Sequence, residues 1–239
     1  MDIEKSPFEQ APDARLSSGL GGRWYGVFPA LVTDIKDPDG QGRVKIKLPW
    51  SPDSSGSDYE AWARLATMMG GSNRGTWFIP DVDDEVLVSF EGGNPRRPYV
   101  IGGLWNGSDS PPQSMDGSGQ NNIKLIRSRN GVKITLDDQN GQEKFIVETP
   151  GGQKITLKDG PGSVEIVDSN GNSIKLETSG VTITASAKMT LNASTFELNA
   201  GMVTVNSGMS QFSGVVQTPT CIATSVVGTT YTPGAGNIW

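Results

Sequence analysis

The chain has 239 residues, of which 35% are hydrophobic, and its 31 glycines and 15 prolines argue against a helical bundle and for turn-rich β structure. A net charge of -6 and a sequence pI near 4.8 argue against nucleic acid as a partner, because such a binder needs a basic face to neutralise phosphates. The single cysteine, Cys221, excludes an intrachain disulfide, and the absence of His removes Ser-His-Asp and Cys-His catalysis and His-based zinc sites.

Residues 1–22 mix charge, Pro12 and a glycine-serine run, and read as an N-terminal arm that either docks on a partner or is a leader without fixed structure. The start MDIEKSPFEQ is acidic and polar rather than signal-like, and no run approaches the roughly 18 apolar residues of a membrane span. The chain is therefore expected to be made soluble in the cytoplasm. Residues 23–105 alternate short strand patterns with Gly/Pro turns. A hairpin runs from Trp24 through the turn DPDGQG into RVKIKL, with Val44, Ile46 and Leu48 on one face and Arg43, Lys45 and Lys47 on the other. Further strands are expected from Tyr59 to Met69, Thr76 to Ile79, Glu85 to Glu91 and Tyr99 to Leu104. About five strands in roughly 80 residues suggest a small closed barrel, because closure removes exposed sheet edges.

Within this barrel, Asp81, Asp83, Asp84 and Glu85 form an acidic cluster before a strand, a pattern read as a solvated turn rather than an acid/base pair. Arg96 and Arg97 read as a surface or interface turn. Residues 106–122, NGSDSPPQSMDGSGQNN, break the composition and form a linker.

From 123 to 228 one pattern recurs, apolar-polar-apolar, at Ile134/Leu136, Ile155/Leu157, Val164/Ile166, Ile174/Leu176, Val181/Ile183, Met189/Leu191, Phe196/Leu198 and Val203/Val205. The spacing falls from about ten residues to about seven along the run, a β-solenoid rhythm. Each strand offers two or three inward apolar side chains, which barely offsets roughly 1–2 kcal/mol of backbone entropy per ordered residue. A single-chain solenoid with longer coils fits the spacing, and so do three chains winding about one axis over a shared core of those sixteen residues. Charge is also uneven, since beyond Gly180 only Lys188 and Glu197 are charged. That far end is either adapted to enter a membrane first or simply rich in good strand and turn residues. In the segment 229–239 the alternation is lost. Tyr231, Ile238 and Trp239 are its tip or cap contacts, and Trp239 either anchors a cap or folds back. Cys221 is expected as a buried small apolar side chain.

The segments DPDGQGRVKIKLPW, AWARLA and GTWFIPDVDDEVLVSFEGGNPRRPYVIGGLWNG resemble the oligonucleotide/oligosaccharide-binding (OB) domain of contractile-tail spikes: phage baseplate assembly protein V and the VgrG spikes of type VI secretion. The resemblance covers about residues 24–107 and is most specific from Pro80 through Glu85-Val86, Asn94-Pro95, Pro98 and Ile101-Gly102. Asp83 stands where the family commonly has Gly, and Asn94 where it has Asp. Both are turn positions at which Asp and Asn tolerate unusual backbone angles.

The resemblance implies an all-β fold: a small OB-type barrel followed by an intertwined triple-stranded β-helix needle, in a homotrimer. It implies a non-enzymatic central spike of a contractile phage tail or related injection system, without cofactor or metal, that mechanically pierces the target envelope after assembly into a virion tail baseplate or extracellular injection particle. Its implied partners are two further copies of itself, a separate baseplate hub protein at the arm and barrel, a PAAR-like tip protein, and transiently the target envelope. Related spikes often hold an iron ion at the apex with His side chains, which this chain lacks. The alternative is a carbohydrate-binding or depolymerising β-helical tailspike, disfavoured because Phe145, Phe196, Phe212, Tyr231 and Trp239 are the sole aromatics of the second half.

Overall fold

A computed structural model describes residues 23–52 and 58–230. The arm 1–22 and the tip contacts Tyr231, Ile238 and Trp239 lie outside the described residues.

The first strands are β1 (Val27–Asp34), β2 (Val44–Pro52), β3 (Asp58–Leu65), β4 (Gly70–Gly71), β5 (Arg74–Gly75), β6 (Glu85–Phe90) and β7 (Pro98–Gly103). Five of them close a barrel in the order β1-β2-β3-β7-β6. All neighbours are antiparallel except β3 and β7, whose parallel pairing of Arg64 with Tyr99 and Leu65 with Val100 completes the ring. Period-two alternation drives this closure. Phe28, Ala30 and Val32 of β1, Val44, Ile46 and Leu48 of β2, and Val86, Val88 and Phe90 of β6 all point inward and are buried. Trp24 plugs the core, with ring centroids 5.1 Å from Phe90 and 5.2 Å from Tyr59 in edge-on contacts.

Two turns hold the barrel strands in register. Asp37 accepts hydrogen bonds from the backbone N–H of Asp39 (3.1 Å), Gln41 (2.7 Å) and Arg43 (3.1 Å), and from Arg43 Nε (3.0 Å). The Arg43 side chain, first of these partners, holds the Asp37 carboxyl well below the usual carboxylate range. The second turn carries a 3-10 turn, Glu91–Gly93, where glycine is required twice over: Gly93 takes φ 73°, and a Cβ there would meet the Tyr25 ring at 3.0 Å and Trp24 N at 3.2 Å.

The expected strand from Thr76 to Ile79 is absent. A two-residue hairpin, β4 with β5, precedes it, and the Trp77 ring instead lies over Gly42 of the β1–β2 loop, leaving residues 76–79 without a ladder partner.

After the linker come β8 (Ile123–Arg127), β9 (Lys133–Asp137), β10 (Lys144–Glu148), β11 (Lys154–Lys158), β12 (Ser163–Val167), β13 (Ser173–Glu177) and β14 (Gly180–Thr184). They form one seven-stranded antiparallel sheet in which each strand pairs with its sequence neighbours. This pairing lies within the chain, where the sequence reading has edges meeting other chains. The reason is local: at a spacing of about ten residues a five-residue strand leaves enough chain for a Gly/Asn turn that folds straight back. At the β12–β13 turn, Asp168 accepts the N–H of Asn170 (2.9 Å) and Asn172 (2.8 Å) while Gly171 supplies φ 85°.

The chain divides into two compact units after Ser186. In the second unit no strand is present among the described residues, although strands were expected around Met189, Phe196 and Val203. A strand needs a partner, and spacing of seven leaves too little chain for the longer turns of the preceding sheet. Those apolar residues are exposed, and so is Cys221, contrary to the burial expected of it, because this unit packs no core of its own within one chain.

Candidate assembly surface

The strand register sorts the sheet side chains into rows. One row runs Ile126, Ile134, Val147, Ile155, Ile166, Ile174, Ile183. Beside it on the same face runs Lys124, Leu136, Phe145, Leu157, Val164, Leu176, Val181. Thirteen of these fourteen side chains are apolar, and the exception, Lys124, sits on the first strand, where its Nζ is tied to Asp138 at 2.7 Å. The opposite face reads Leu125, Thr135, Ile146, Thr156, Glu165, Lys175, Thr182 along its middle row, with charged residues on the rows flanking it.

Among the described residues nothing covers the apolar face. Ile155 is 40% exposed, Leu157 43%, Ile166 43% and Leu176 42%, whereas Val44, Ile46 and Leu48 in the barrel are at 0%. A contiguous apolar strip of this length is far larger than the isolated apolar residues normal on a soluble surface. The other face carries the charge and is the less exposed of the two in the single chain, with Thr135 at 7%. Lys144 pairs with Asp137 (3.0 Å) and Lys133 with Glu148 (2.5 Å), and each lysine holds its carboxylate partner below the ordinary range. Partly exposed pairs of this kind add at most about 1 kcal/mol each, so they set the charge pattern of that face more than they stabilise it.

The ten expected core residues from Ile134 to Ile183 are thus brought together on one face, while Met189, Leu191, Phe196, Leu198, Val203 and Val205 lie in the second unit and join no row. Sequence reasoning missed Ile126, Phe145 and Val147. In Phe145-Ile146-Val147 three apolar residues in succession hide the parity, and only the pairing of Phe145 with Leu136 and of Val147 with Ile134 assigns the face.

The acidic cluster is structural in its contacts. Asp84 Oδ2 accepts a hydrogen bond from the Asp81 N–H (2.8 Å), Asp81 Oδ1 accepts one from Arg129 Nη1 (2.8 Å) in the β8–β9 turn, and Glu85 Oε2 accepts one from Asn106 Nδ2 (2.8 Å). Asp83 takes φ 74° and donates its N–H to Val32 O at 2.8 Å. Among the described residues no group of three or more Cys, Asp or Glu is placed to hold a metal ion.

A closed OB-type barrel that feeds a sheet with one charged and one uncovered apolar face defines a self-assembling all-β protein. Comparison with known proteins makes this specific. Residues 28–105 match the type VI secretion system/phage-baseplate injector OB domain, and residues 144–209 match the phage baseplate V C-terminal trimerisation domain. The chain is 29% identical over 127 residues to the type VI secretion system spike protein VgrG1b of Pseudomonas aeruginosa, covering 50% of this chain and 17% of the relative. It is 30% identical over 122 residues to VgrG1a of the same organism (48% and 19%), and 29% identical over 128 residues to VgrG3 of Vibrio cholerae (49% and 13%). The chain therefore spans less than a fifth of the length of these curated relatives. With the two domains in this order, it is similar to the baseplate V and VgrG spikes in both its barrel and its sheet region.

Proposed function

We propose that this chain forms the homotrimeric central spike of a contractile phage tail or a related injection system, and that it acts mechanically and without catalysis on the target envelope. The observation that carries the reading is the uncovered apolar face of β8–β14. Three copies meeting on those two rows bury in a shared core what one chain leaves in water. In the same assembly Met189, Leu191, Phe196, Leu198, Val203 and Val205 add to that core by pairing with strands of the neighbouring copies. The barrel end meets a baseplate hub, residues 229–239 receive a PAAR-like cap or close on themselves, and assembly into the particle follows synthesis in the cytoplasm. The scarcity of charge beyond Gly180 supports entry into hydrocarbon, where each unpaired charge is costly.

The decisive experiment is a mass measurement of the purified chain in solution. One chain is 25.4 kDa, and three times that mass is expected. A particle that stays at one chain mass at micromolar concentration overturns the proposal.

A further inference from the structure

Four arginines converge on one side of the barrel, in a chain that is acidic as a whole. Arg43 ends the β1–β2 turn, Arg64 sits on β3, and Arg96 and Arg97 sit in the β6–β7 turn. With Trp62 and Tyr99 they line a pocket of about 250 Å³ that holds one acidic side chain, Glu91. The fold makes this meeting, because the parallel pairing of Arg64 with Tyr99 brings β3 alongside β7. Tyr99 Oη donates to Glu91 Oε2 (2.9 Å) and Arg97 Nη1 to Glu91 Oε1 (3.1 Å), so both oxygens are engaged and the Glu91 carboxyl is held below the ordinary range.

Most cations on this side already have partners. Arg43 pairs with Asp37 and Asp39 (2.6 Å each), Arg97 with Glu91, Lys45 with Glu60 (2.5 Å) and Lys47 with Asp58 (3.3 Å). Arg64 and Arg96 differ: both are exposed, and among the described residues neither guanidinium has a carboxylate partner or a hydrogen-bond acceptor. Arg64 is nevertheless positioned, with its guanidinium 5.5 Å from the Tyr99 ring centroid, as that of Arg43 lies 5.7 Å from Trp62. A guanidinium stacked on a ring keeps its N–H edge available, and that planar fork matches the two oxygens of a carboxylate. The same stacking occupies the rings on which the bases of a single strand would otherwise stack.

We propose that this pocket binds an acidic segment of a protein partner, two of whose carboxylates take the N–H edges of Arg64 and Arg96. Charge complementarity sets the chemistry of the partner, since the pocket offers two unpaired cations while its one anion, Glu91, is engaged on both oxygens. The partner is a protein rather than a single-stranded nucleic acid because Trp62 and Tyr99 each already carry a guanidinium. The site thereby names the chemistry of the contact between the barrel end and a baseplate hub, and in that respect it rests on the function proposed above.

Isothermal titration of the full chain with a short glycine peptide carrying two adjacent glutamates tests this, at about 0.01 M salt, where the screening length is about 30 Å. Wild type should bind this peptide and not its counterpart with two glutamines, and binding should vanish near 1 M salt, where the screening length is about 3 Å. Arg64→Ala/Arg96→Ala should weaken binding about ten-fold, and Arg64→Lys/Arg96→Lys at least about three-fold, because an ammonium keeps the charge and loses the fork. Arg74→Ala, which removes an exposed cation of β5 outside the pocket, should bind as wild type does. No binding by wild type, or full binding by the lysine variant, overturns the proposal, and neither result depends on how the alanine variant folds. A hexathymidylate that binds more tightly than the peptide and loses that binding in the alanine variant overturns it in favour of nucleic acid. Inorganic phosphate that displaces the peptide at equal concentration also overturns it, leaving a site for an adventitious ion only. The pocket lies within a single barrel, so a monomeric mass would refute the trimer without deciding this question, whereas a trimer that ignores the peptide refutes this inference alone.

Discussion

Replacing Leu157 by alanine should weaken assembly while leaving the barrel intact. Leu157 sits in the middle of the second apolar row, between Phe145 and Val164, and is 43% exposed in the single chain. Burying a whole leucine side chain is worth about 1.5–3 kcal/mol, so the uncovered share is about 0.6–1.3 kcal/mol per chain. Three copies give about 2–4 kcal/mol per trimer, or roughly thirty- to seven-hundred-fold in the trimerisation constant, since about 1.4 kcal/mol is ten-fold. Any residual cavity adds to the loss. Leu157→Asp should go further and abolish the trimer, because three carboxylates would enter one apolar core without partners. The matched control is Thr156→Ala, one residue away on the opposite face, with an expected change within about 0.5 kcal/mol. Sedimentation over a dilution series measures the constant. Equal dissociation for Leu157→Ala and Thr156→Ala would refute the assignment of faces, and with it the reasoning from the rows.

Gly93→Ala should destabilise the barrel by about 1–3 kcal/mol, because it forces a Cβ at φ 73° to within 3.0 Å of the Tyr25 ring; urea unfolding followed by tryptophan fluorescence measures it. Acid should loosen the sheet turns in a defined window. The Asp168 carboxyl is lowered to about 2 from 3.8, chiefly by the Asn172 side chain, so its contribution is fully present above pH 4 and is lost as pH falls towards 2. Asp168→Asn should flatten that part of the acid transition in far-UV circular dichroism. Lysine at Thr182, Thr190 and Thr204 should reduce envelope penetration by assembled particles; unchanged penetration would sink the link between low charge and entry.

Alternation in the sequence determined much of this architecture. Val44, Ile46 and Leu48 could be assigned inward from a two-residue period because a pleated strand has only two faces. The same reasoning placed Ile155 with Leu157 and Ile174 with Leu176, and the resemblance carried by the barrel segments supplied the family. The segment from Thr76 to Ile79 escaped it, since Trp77 is placed by a contact with Gly42, far away in the chain. What lines the pocket by Arg64 and Tyr99 was equally out of reach, because the parallel pairing of β3 with β7 joins residues 35 positions apart.

The tertiary structure alone decided three things. It assigned Phe145 and Val147 to the apolar face, because register is a relation between strands and not a property of one. It also separated the ten-residue repeats, which fold back on themselves, from the seven-residue repeats, which pair with no strand among the described residues. Finally, it exposed the difference between patterned and buried. The period-two pattern reads alike in barrel and sheet, yet Ile46 is at 0% exposure and Leu157 at 43%. A barrel closes on itself and covers its own apolar face, whereas an open sheet can cover its face only with something else.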